Sequence, residues 1–242
     1  MAKRRREVVV ETRDLSMRFG GVVANDSVDF TLHEGELRCL IGPNGAGKST
    51  FFKCLTGQLK PSEGTVLIRN VDTTGADPHE VARLGVGIKT QVPNVFDGLS
   101  VHDNIWLSCR RWHDKNRARS LTDETLERAR LTDNRNAIVG TLAHGQRQWV
   151  ELAMVMAAEP WLVLLDEPAA GMTHEETDFT ADLIRELNKR ASLIVVEHDM
   201  NFIRSIADKV TVFHRGAILI EDTMDVISAD ETVREVYLGH KH

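Results

Sequence analysis

The fold of this chain is decided by the stretch Gly42-Pro43-Asn44-Gly45-Ala46-Gly47-Lys48-Ser49-Thr50, which matches the pattern G-x-x-x-x-G-K-[ST]. An apolar run at residues 37–41 precedes it and an amphipathic segment at residues 51–55 follows it. Glycines let backbone N–H groups approach a polyanion, and the helix that begins near Lys48 adds its free N–H groups and its dipole. Lys48 reaches the β- and γ-phosphates, and the Ser49 hydroxyl is placed to bind Mg²⁺. A chance glycine turn would not explain all these features together, so we predict a nucleoside triphosphate site.

The composition indicates one intracellular globular domain. The 242 residues are 42% hydrophobic, which allows a substantial core, and the net charge of −6 does not favour a nucleic-acid partner. Cys39, Cys54 and Cys109 are an odd set without C-x-x-C spacing, and we expect reduced thiols. No secretory leader is recognisable and no apolar run approaches about 18 residues, so we expect no membrane span. The basic run at residues 3–6 predicts a short solvated terminus, with anionic lipid or RNA as the alternative contact.

The segments around the phosphate-binding stretch have the patterns of sheet strands. Residues 8–10 and 28–32 alternate in polarity and predict an antiparallel β layer. Phe19 lies between them and is either a platform on which an adenine base stacks or a core residue. A strand at 65–68, a helix at 78–83 and a strand at 85–88 follow. Gln91 then stands at the carboxyl end of a strand, where open α/β sheets place ligand contacts; a solvated loop glutamine is the alternative.

A helical block interrupts the alternation of strands and helices. Residues 92–143 predict helices at 101–111 and 122–131, the second opened by Thr122. Such a block indicates an α-helical subdomain inserted into the sheet domain. The segment Leu142-Ala143-His144-Gly145-Gln146, called the signature segment below, leads into a helix at 147–158. Free N–H groups at a helix start can bind an anion, although a histidine such as His144 is more often a surface or packing residue.

Two further strands end in ionisable side chains. The apolar run at 161–165 predicts a buried parallel strand followed by Asp166 and Glu167. Asp166 suits a Mg²⁺ ligand and Glu167 suits a general base that activates water; two ordinary helix-start acids are the alternative. A strand at 193–196 ends before His198, which should emerge at the same sheet edge. Helices at 173–189, 200–207 and 231–238 and a hairpin at 210–221 complete the prediction.

The assembled motifs resemble the ATP-binding cassette (ABC) family from about residue 8 to residue 239. Five of them occur in the family's order: residues 42–50, Gln91, the signature segment, residues 162–167 and His198. Closer still is the resemblance to ATPase subunits of urea and branched-chain amino acid importers, carried by the run from Leu142 to Trp149 and by Glu167-Pro168-Ala169-Ala170-Gly171-Met172-Thr173. The pair His144 and Trp149 and the run 171–173 look most like the urea-type branch. The resemblance implies an ATPase that powers import of a small polar solute, either urea or an amide or a branched-chain amino acid.

The resemblance also implies an organisation and a set of roles. The fold would be α/β, a P-loop NTPase core with a mainly parallel sheet, an N-terminal antiparallel β layer and an inserted α-helical subdomain. Within one domain at 1–242, residues 8–91 and 159–239 would form the catalytic core and residues 92–158 the helical subdomain. Lys48, Glu167 and His198 would be catalytic, and Ser49, Gln91 and Asp166 would hold Mg²⁺. The expected ATP contacts are Phe19, Gly42, Pro43, Asn44, Gly45, Ala46, Gly47, Lys48, Ser49, Thr50, Gln91, Ala143, His144, Gly145 and Gln146.

The partners that the resemblance implies are a second ABC ATPase, two membrane permease subunits and, indirectly, a solute-binding protein, at the inner face of the cell membrane. Two ATP molecules would lie between the phosphate loop of one ATPase and the signature segment of the other. Two departures from the family pattern affect this dimer. Ala143 replaces the common signature serine, and Thr173 stands where many members carry aspartate. Both favour a heterodimer over a homodimer.

Two other functional classes are less compatible with the sequence than an importer subunit. A cytosolic regulatory or scaffolding cassette would be supported by tandem cassettes, a long coiled-coil insertion or a basic surface, and this acidic chain has none of them. A GTPase would need the pattern N-K-x-D, but Asn188-Lys189 is followed by Arg190-Ala191. The importer ATPase therefore remains the leading hypothesis.

Overall fold

The fold consists of two sheets and a group of helices, in a computed structural model that describes residues 7–238. The strands are β1 (Val8–Phe19), β2 (Val22–His33), β3 (Leu37–Ile41), β4 (Glu63–Ile68), β5 (Val71–Asp72), β6 (Val86–Lys89), β7 (Leu162–Asp166), β8 (Ser192–Val196), β9 (Lys209–His214) and β10 (Ala217–Asp222). The helices are α1 (Lys48–Leu55), α2 (Pro78–Arg83), α3 (Val101–Arg110), α4 (Lys115–Arg128), α5 (His144–Ala157), α6 (His174–Asn188), α7 (Met200–Ile206), α8 (Met224–Ala229) and α9 (Glu231–Leu238). A short 3₁₀ turn, Val139–Thr141, precedes the signature segment. None of these helices is long and apolar enough to cross a bilayer.

The larger sheet has the strand order β10-β9-β3-β8-β7-β6. Strands β9, β3, β8, β7 and β6 are parallel, and β10 is antiparallel to β9. Successive side chains of the central strands enter two different hydrophobic clusters, so that Leu165 lies in one and Leu164 in the other. A sheet that is buried on both faces requires the continuous apolar runs seen in the sequence. The α/β P-loop architecture is confirmed, and the carboxyl ends of β3, β6, β7 and β8 lie at one sheet edge.

The N-terminal β layer is a four-stranded antiparallel sheet in the order β2-β1-β4-β5. Its first two strands are each 12 residues long, far longer than the predicted segments. Asp14 and Ser27 have positive φ values of 49° and 48°, and the register between the two strands shifts at several points. Each such irregularity breaks the alternation of buried and exposed residues. The periodicity therefore predicted only the regular parts of these strands.

The segment between β6 and β7 packs its helices around a hydrophobic cluster of its own. The buried members of this cluster all lie between Val101 and Ala157. The predicted start of its second helix at Thr122 is wrong, because α4 begins at Lys115 with the carboxylate of Asp114 accepting from two backbone N–H groups. Thr122 is instead buried inside that helix, and its hydroxyl donates to the Ala118 carbonyl at 2.7 Å. The division into core and subdomain stays a prediction, which this separate cluster favours.

Helix α5 begins at His144, three residues before the predicted start, so most of the signature segment is already helical. We expect Trp149 from its position to pack this helix against the helical block. The indole does pack against the hydrophobic cluster of this block. It also stacks edge-on against Phe179, with 4.8 Å between the ring centroids, and donates to the Thr180 hydroxyl at 3.0 Å. Phe179 and Thr180 belong to α6, which packs on the sheet. Trp149 therefore joins the helical block to the core.

Trp149→Ala is expected to lower the free energy of unfolding by roughly 3 kcal/mol, because it removes an aromatic contact from the joint between two clusters. Trp149→Phe keeps the stacking but not the hydrogen bond to Thr180 and should cost only about 1 kcal/mol. Urea denaturation measures both values. The affinity of the folded fraction for ATP should stay near that of the parent, and a selective loss of affinity would contradict the structural role.

Candidate ATP-hydrolysing site

The phosphate loop joins β3 to α1 and needs glycine for two different reasons. A Cβ atom on Gly42 would lie 2.2 Å from the Phe213 carbonyl oxygen, and one on Gly47 would lie 2.5 Å from the Ala24 carbonyl oxygen. Gly42, Gly45 and Gly47 all have positive φ values, of 145°, 79° and 105°. At Gly45, by contrast, a Cβ atom would meet no atom within 4 Å. The explanation that all three glycines make room for phosphate is therefore incomplete, because two of them make room for neighbouring backbone.

Lys48 lies at the start of α1, with its ammonium group folded over the loop. Its Nζ atom donates to the carbonyl oxygens of Gly42 at 2.6 Å and of Pro43 at 3.0 Å. Burial lowers the pKa of Lys48, while the carboxylates of Glu167 and Asp166 act in the opposite direction. The Ser49 hydroxyl belongs to an exposed residue next to it. The loop thus presents a buried cation and an exposed hydroxyl side by side.

Two carboxylates stand at the carboxyl end of β7. Asp166 is only 8% exposed, and burial, followed by the neighbouring charge of Glu167, raises its pKa to about 6. Glu167 has a φ of 47°, a left-handed backbone conformation that is costly for a residue other than glycine. Its backbone N–H donates to the Val196 carbonyl of β8 at 2.9 Å, which holds the residue at the sheet edge. Strain of this kind occurs at functional sites, where the surroundings enforce it.

Gln91, Glu167 and His198 converge at this edge although they are far apart in the chain. The Gln91 side-chain amide donates to Glu167 Oε2 at 3.0 Å, and His198 Nδ1 lies 3.7 Å from Glu167 Oε1. His198 is 65% exposed, so its ring also faces solvent. The Glu167 carboxylate therefore lies between an amide and an imidazole, in an arrangement that can orient and deprotonate a water molecule.

The residues predicted to hold Mg²⁺ have the appropriate chemistry. Ser49, Gln91 and Asp166 offer a hydroxyl, an amide carbonyl and a carboxylate, all hard oxygen donors of the kind that Mg²⁺ prefers. Gln91 uses its nitrogen on Glu167, which leaves its carbonyl oxygen available. The raised pKa of Asp166 also fits a carboxylate that gains from a nearby cation. The donor set therefore fits Mg²⁺.

The signature segment contacts the loop that follows Glu167 and, within residues 7–238, forms no hydrogen bond to the phosphate loop. His144 Nε2 lies 3.2 Å from the Ala170 carbonyl oxygen, so this histidine pairs with backbone of its own chain. Ala143 precedes the first residue of α5, and its N–H donates to the Gln146 amide oxygen at 3.3 Å. The N–H groups at this helix start, which are predicted to bind an anion, therefore form no hydrogen bond with the loop that carries Lys48 in the described part of the chain.

Glu197 has a structural role at this site that the sequence alone did not indicate. It is 2% exposed, and its two carboxylate oxygens accept from the N–H groups of Ala169 at 3.1 Å and of His198 at 3.0 Å. One carboxylate thus fixes the loop after Glu167 and the backbone of His198. A carboxylate directly after a buried strand was the available signal, and the same signal identified Asp166.

Two other predicted residues have defined surroundings. Phe19 is 47% exposed beside Val22 and Val23, so the alternative that it is a core residue is wrong. An exposed ring at the edge of the β layer leaves the stacking role as a prediction. Thr173 caps α6, and its hydroxyl accepts from the Glu176 N–H. The residue at the usual aspartate position therefore has a structural role within its own chain.

A phosphate loop on a parallel sheet, with a carboxylate pair at the end of another strand of that sheet, defines a nucleoside triphosphatase. The ABC transporter family matches residues 25–170, and the chain belongs to this family. Members of the family are ATPases whose hydrolysis is coupled to transport, and this chain is such an ATPase.

Three similar proteins are ATP-binding subunits or cassettes of ABC transporters. The high-affinity branched-chain amino acid transport ATP-binding protein BraF of Pseudomonas aeruginosa is 33% identical over 96% of this chain and 98% of its own length. An ATP-binding cassette of an ABC transporter solved in its ADP conformation is 26% identical, with a TM-score of 0.85 over 96% of this chain and 99% of its own. A bacterial ABC transporter cassette solved as a dimer is 25% identical, with a TM-score of 0.80 over 89% and 98% of the two chains. The expectation of an ABC ATPase is confirmed.

Asp166→Asn is expected to stabilise the protein in the absence of Mg²⁺ while it impairs hydrolysis. The pKa of Asp166 is about 6 when folded, against an ordinary value of 3.8, so the folded state binds the extra proton between these values and its stability falls as the pH rises through them. At pH 8 the asparagine variant should gain up to about 3 kcal/mol, and at pH 3.5 little. Denaturation at both pH values measures this. A gain of equal size at both, or an equal gain in the exposed control Asp178→Asn, would contradict it.

Proposed function

We propose that the chain binds ATP at residues 42–50 and hydrolyses it with Glu167 as general base, to power an importer. The single observation that carries this proposal is the Glu167 carboxylate held 3.0 Å from the Gln91 amide and 3.7 Å from the His198 ring. Lys48 and the backbone N–H groups of the loop stabilise the phosphates, and Phe19 supports the adenine base. Glu167 orients the attacking water and accepts its proton, and His198 donates toward the γ-phosphate or the water.

Mg²⁺ would be held by Ser49, Asp166 and Gln91 and would supply charge neutralisation on the phosphate oxygens. The work of the chain is to keep these donors in place. Gln91 contacts Glu167 through its nitrogen and would offer its oxygen to the metal, so one side chain would contact both the base and Mg²⁺. A shift of the segment that carries Gln91 therefore changes metal binding and base orientation together.

The complete site needs a second ATPase, because the signature segment of this chain lies away from its own phosphate loop. Ala143, His144, Gly145 and Gln146 would meet the nucleotide of the partner through N–H groups at the start of α5. The dimeric cassette described above supports an arrangement of two chains. Ala143 offers no hydroxyl and Thr173 is engaged in capping α6, and both features favour a sister ATPase as the partner.

Contact with the permease subunits is proposed at a cleft between the core and the helical block. The cleft has a volume of about 480 Å³ and is lined by residues of α2, β6, α3 and α5 and by Trp112, which follows α3 and is 42% exposed. Thr90, the residue before Gln91, also lines it. An element of the permease that entered here would act directly on the Gln91 segment. The proposed location is the inner face of the cell membrane, where the permease subunits would hold the chain.

The transported solute is proposed to be small and polar. A branched-chain amino acid is supported by the similarity to BraF, and urea or an amide by the sequence around His144, Trp149 and residues 171–173. Uptake of labelled leucine and labelled urea by cells that carry the complete transporter distinguishes the two. If the cells take up neither compound, both proposed solutes are rejected, while the assignment of the chain as an ATPase is unaffected.

The isolated chain is expected to be a poor ATPase that becomes roughly 10²-fold faster with its sister ATPase and permeases, because each site needs groups from two chains. Steady-state phosphate release from the purified chain and from the reconstituted complex measures the ratio. A complex that carries Glu167→Gln gives the background rate. A homodimer that already hydrolyses at the full rate per site would disprove the proposed heterodimer.

A further inference from the structure

A buried ion pair joins the strand before Gln91 to the signature helix. Lys89 is the last residue of β6 and is fully buried, and Glu151 lies in the middle of α5 and is 3% exposed. Lys89 Nζ lies 3.6 Å from Glu151 Oε2, and it also approaches the Thr90 carbonyl oxygen at 3.4 Å. Two buried charges are costly to remove from water, so such a pair calls for an explanation.

The other oxygen of the same carboxylate holds the far end of the Gln91 segment. Glu151 Oε1 accepts from the backbone N–H of Asn94 at 2.9 Å. One carboxylate therefore contacts the chain two residues before and three residues after Gln91, which is itself exposed between these anchors. Its Oε2 atom forms no hydrogen bond within the described chain, which argues against a pair optimised for stability alone.

Glu151 and the segment that it contacts also face the cleft between the core and the helical block. Glu151, Thr90 and Asn94 line that cleft together. Anything that moves α5 relative to β6 must either break the contacts of Glu151 or carry residues 89–94 with the helix. The position of Gln91 is thereby tied to the position of the signature helix.

We propose that Glu151 is a positioning residue that clamps residues 89–94 and so places Gln91 against Glu167. The proposal rests on the role proposed for Gln91 in hydrolysis. Glu151 touches neither nucleotide nor metal and acts through the Asn94 N–H and Lys89. It should affect kcat, which depends on the placement of the base, and leave the KM for ATP unchanged, because that depends on the phosphate loop.

The test compares two double variants of the full-length chain that both lack the charges. Lys89→Met/Glu151→Gln retains an acceptor for the Asn94 N–H, and Lys89→Met/Glu151→Met does not. Removing both charges avoids the unpaired buried ion that would unfold either single variant. Melting temperature, hydrogen exchange at the Asn94 amide, kcat and KM are measured for both, and kcat is measured again with Gln91→Ala added.

We expect the glutamine variant to have a kcat about tenfold above the methionine variant, with equal KM and slower exchange at Asn94. With Gln91→Ala added, the difference in kcat between the two variants should vanish, because residue 91 then has no amide to place against Glu167. Equal kcat values in the first comparison, or a difference that persists with Gln91→Ala, would overturn the clamp. If Gln91→Ala alone leaves the parent rate unchanged, the proposed role of Gln91 fails and the positioning role of Glu151 fails with it. Slower exchange at Asn94 in the glutamine variant would then show only that an acceptor at position 151 orders the segment.

Discussion

Glu167→Gln is expected to lower kcat by about 10²–10⁴ while ATP still binds. Glutamine keeps the size of the side chain and can still accept from the Gln91 amide, which lies 3.0 Å from Glu167 Oε2. What it loses is the proton acceptor between that amide and the His198 ring. Because ATP then persists in the site, the variant should also accumulate as a dimer closed around the nucleotide.

Phosphate release in single-turnover experiments measures the chemical step, and size-exclusion chromatography with ATP measures the dimer. Glu175→Gln is the matched control, since Glu175 is an exposed acid in the first turn of α6. A variant that hydrolyses ATP at the parent rate would show that the base lies elsewhere. Lost ATP binding would instead show that Glu167 is needed for the fold of the loop.

Lys48→Ala is expected to abolish measurable ATP binding. The ammonium group is the buried cation of the phosphate loop, and it lies within 2.6–3.0 Å of the Gly42 and Pro43 carbonyl oxygens. Removing it takes away the side-chain charge that faces the phosphates and also two hydrogen bonds that hold the loop. A charge-assisted hydrogen bond from the ammonium group to the phosphates is worth roughly 1.5–3 kcal/mol, or about 10–100-fold in affinity, for each such bond lost.

Isothermal titration with ATP and Mg²⁺ measures the loss, and Lys189→Ala, which removes an exposed lysine next to α6, serves as the control. Lys48→Arg separates charge from fit, because the larger guanidinium keeps the charge but not the point-like geometry. Affinity near the parent value in Lys48→Ala would mean that the loop has been misassigned. A melting temperature equal to the parent's shows that any loss is not caused by unfolding.

The parts of the site that lie within a few residues of one strand could be predicted from the sequence. The phosphate loop follows β3 directly, and Asp166 and Glu167 follow an apolar strand of five residues, so local pattern and chemistry were sufficient. The same holds for the hairpin predicted at 210–221, in which β9 and β10 are joined by Arg215 and Gly216, both with positive φ values. Such features depend on the backbone freedom and polarity of adjacent residues, and both follow directly from the residue types.

Predictions from the sequence were wrong or incomplete where the regular periodicity ended or where a side chain had several possible roles. The bulges at Asp14 and Ser27 concealed most of β1 and β2. Thr122 resembled a helix cap, but the Asp114 carboxylate caps that helix eight residues earlier. Trp149 could be assigned to a packing role but not to its partners, since nothing in its own segment indicates Phe179.

The sequence by itself determined the class of chemistry: a phosphate loop, a carboxylate pair and their order along the chain. Only the tertiary structure decided which groups meet, because Gln91 and Glu167 are 76 residues apart and the buried anchors Lys89 and Glu151 are 62 apart. Parallel strands bring their carboxyl ends to one edge whatever the length of the connections. The side-chain orientations at that edge then follow from close packing, and the clamp by Glu151 and the two hydrogen bonds to Glu197 exist only once β6, β7, β8 and α5 are packed together.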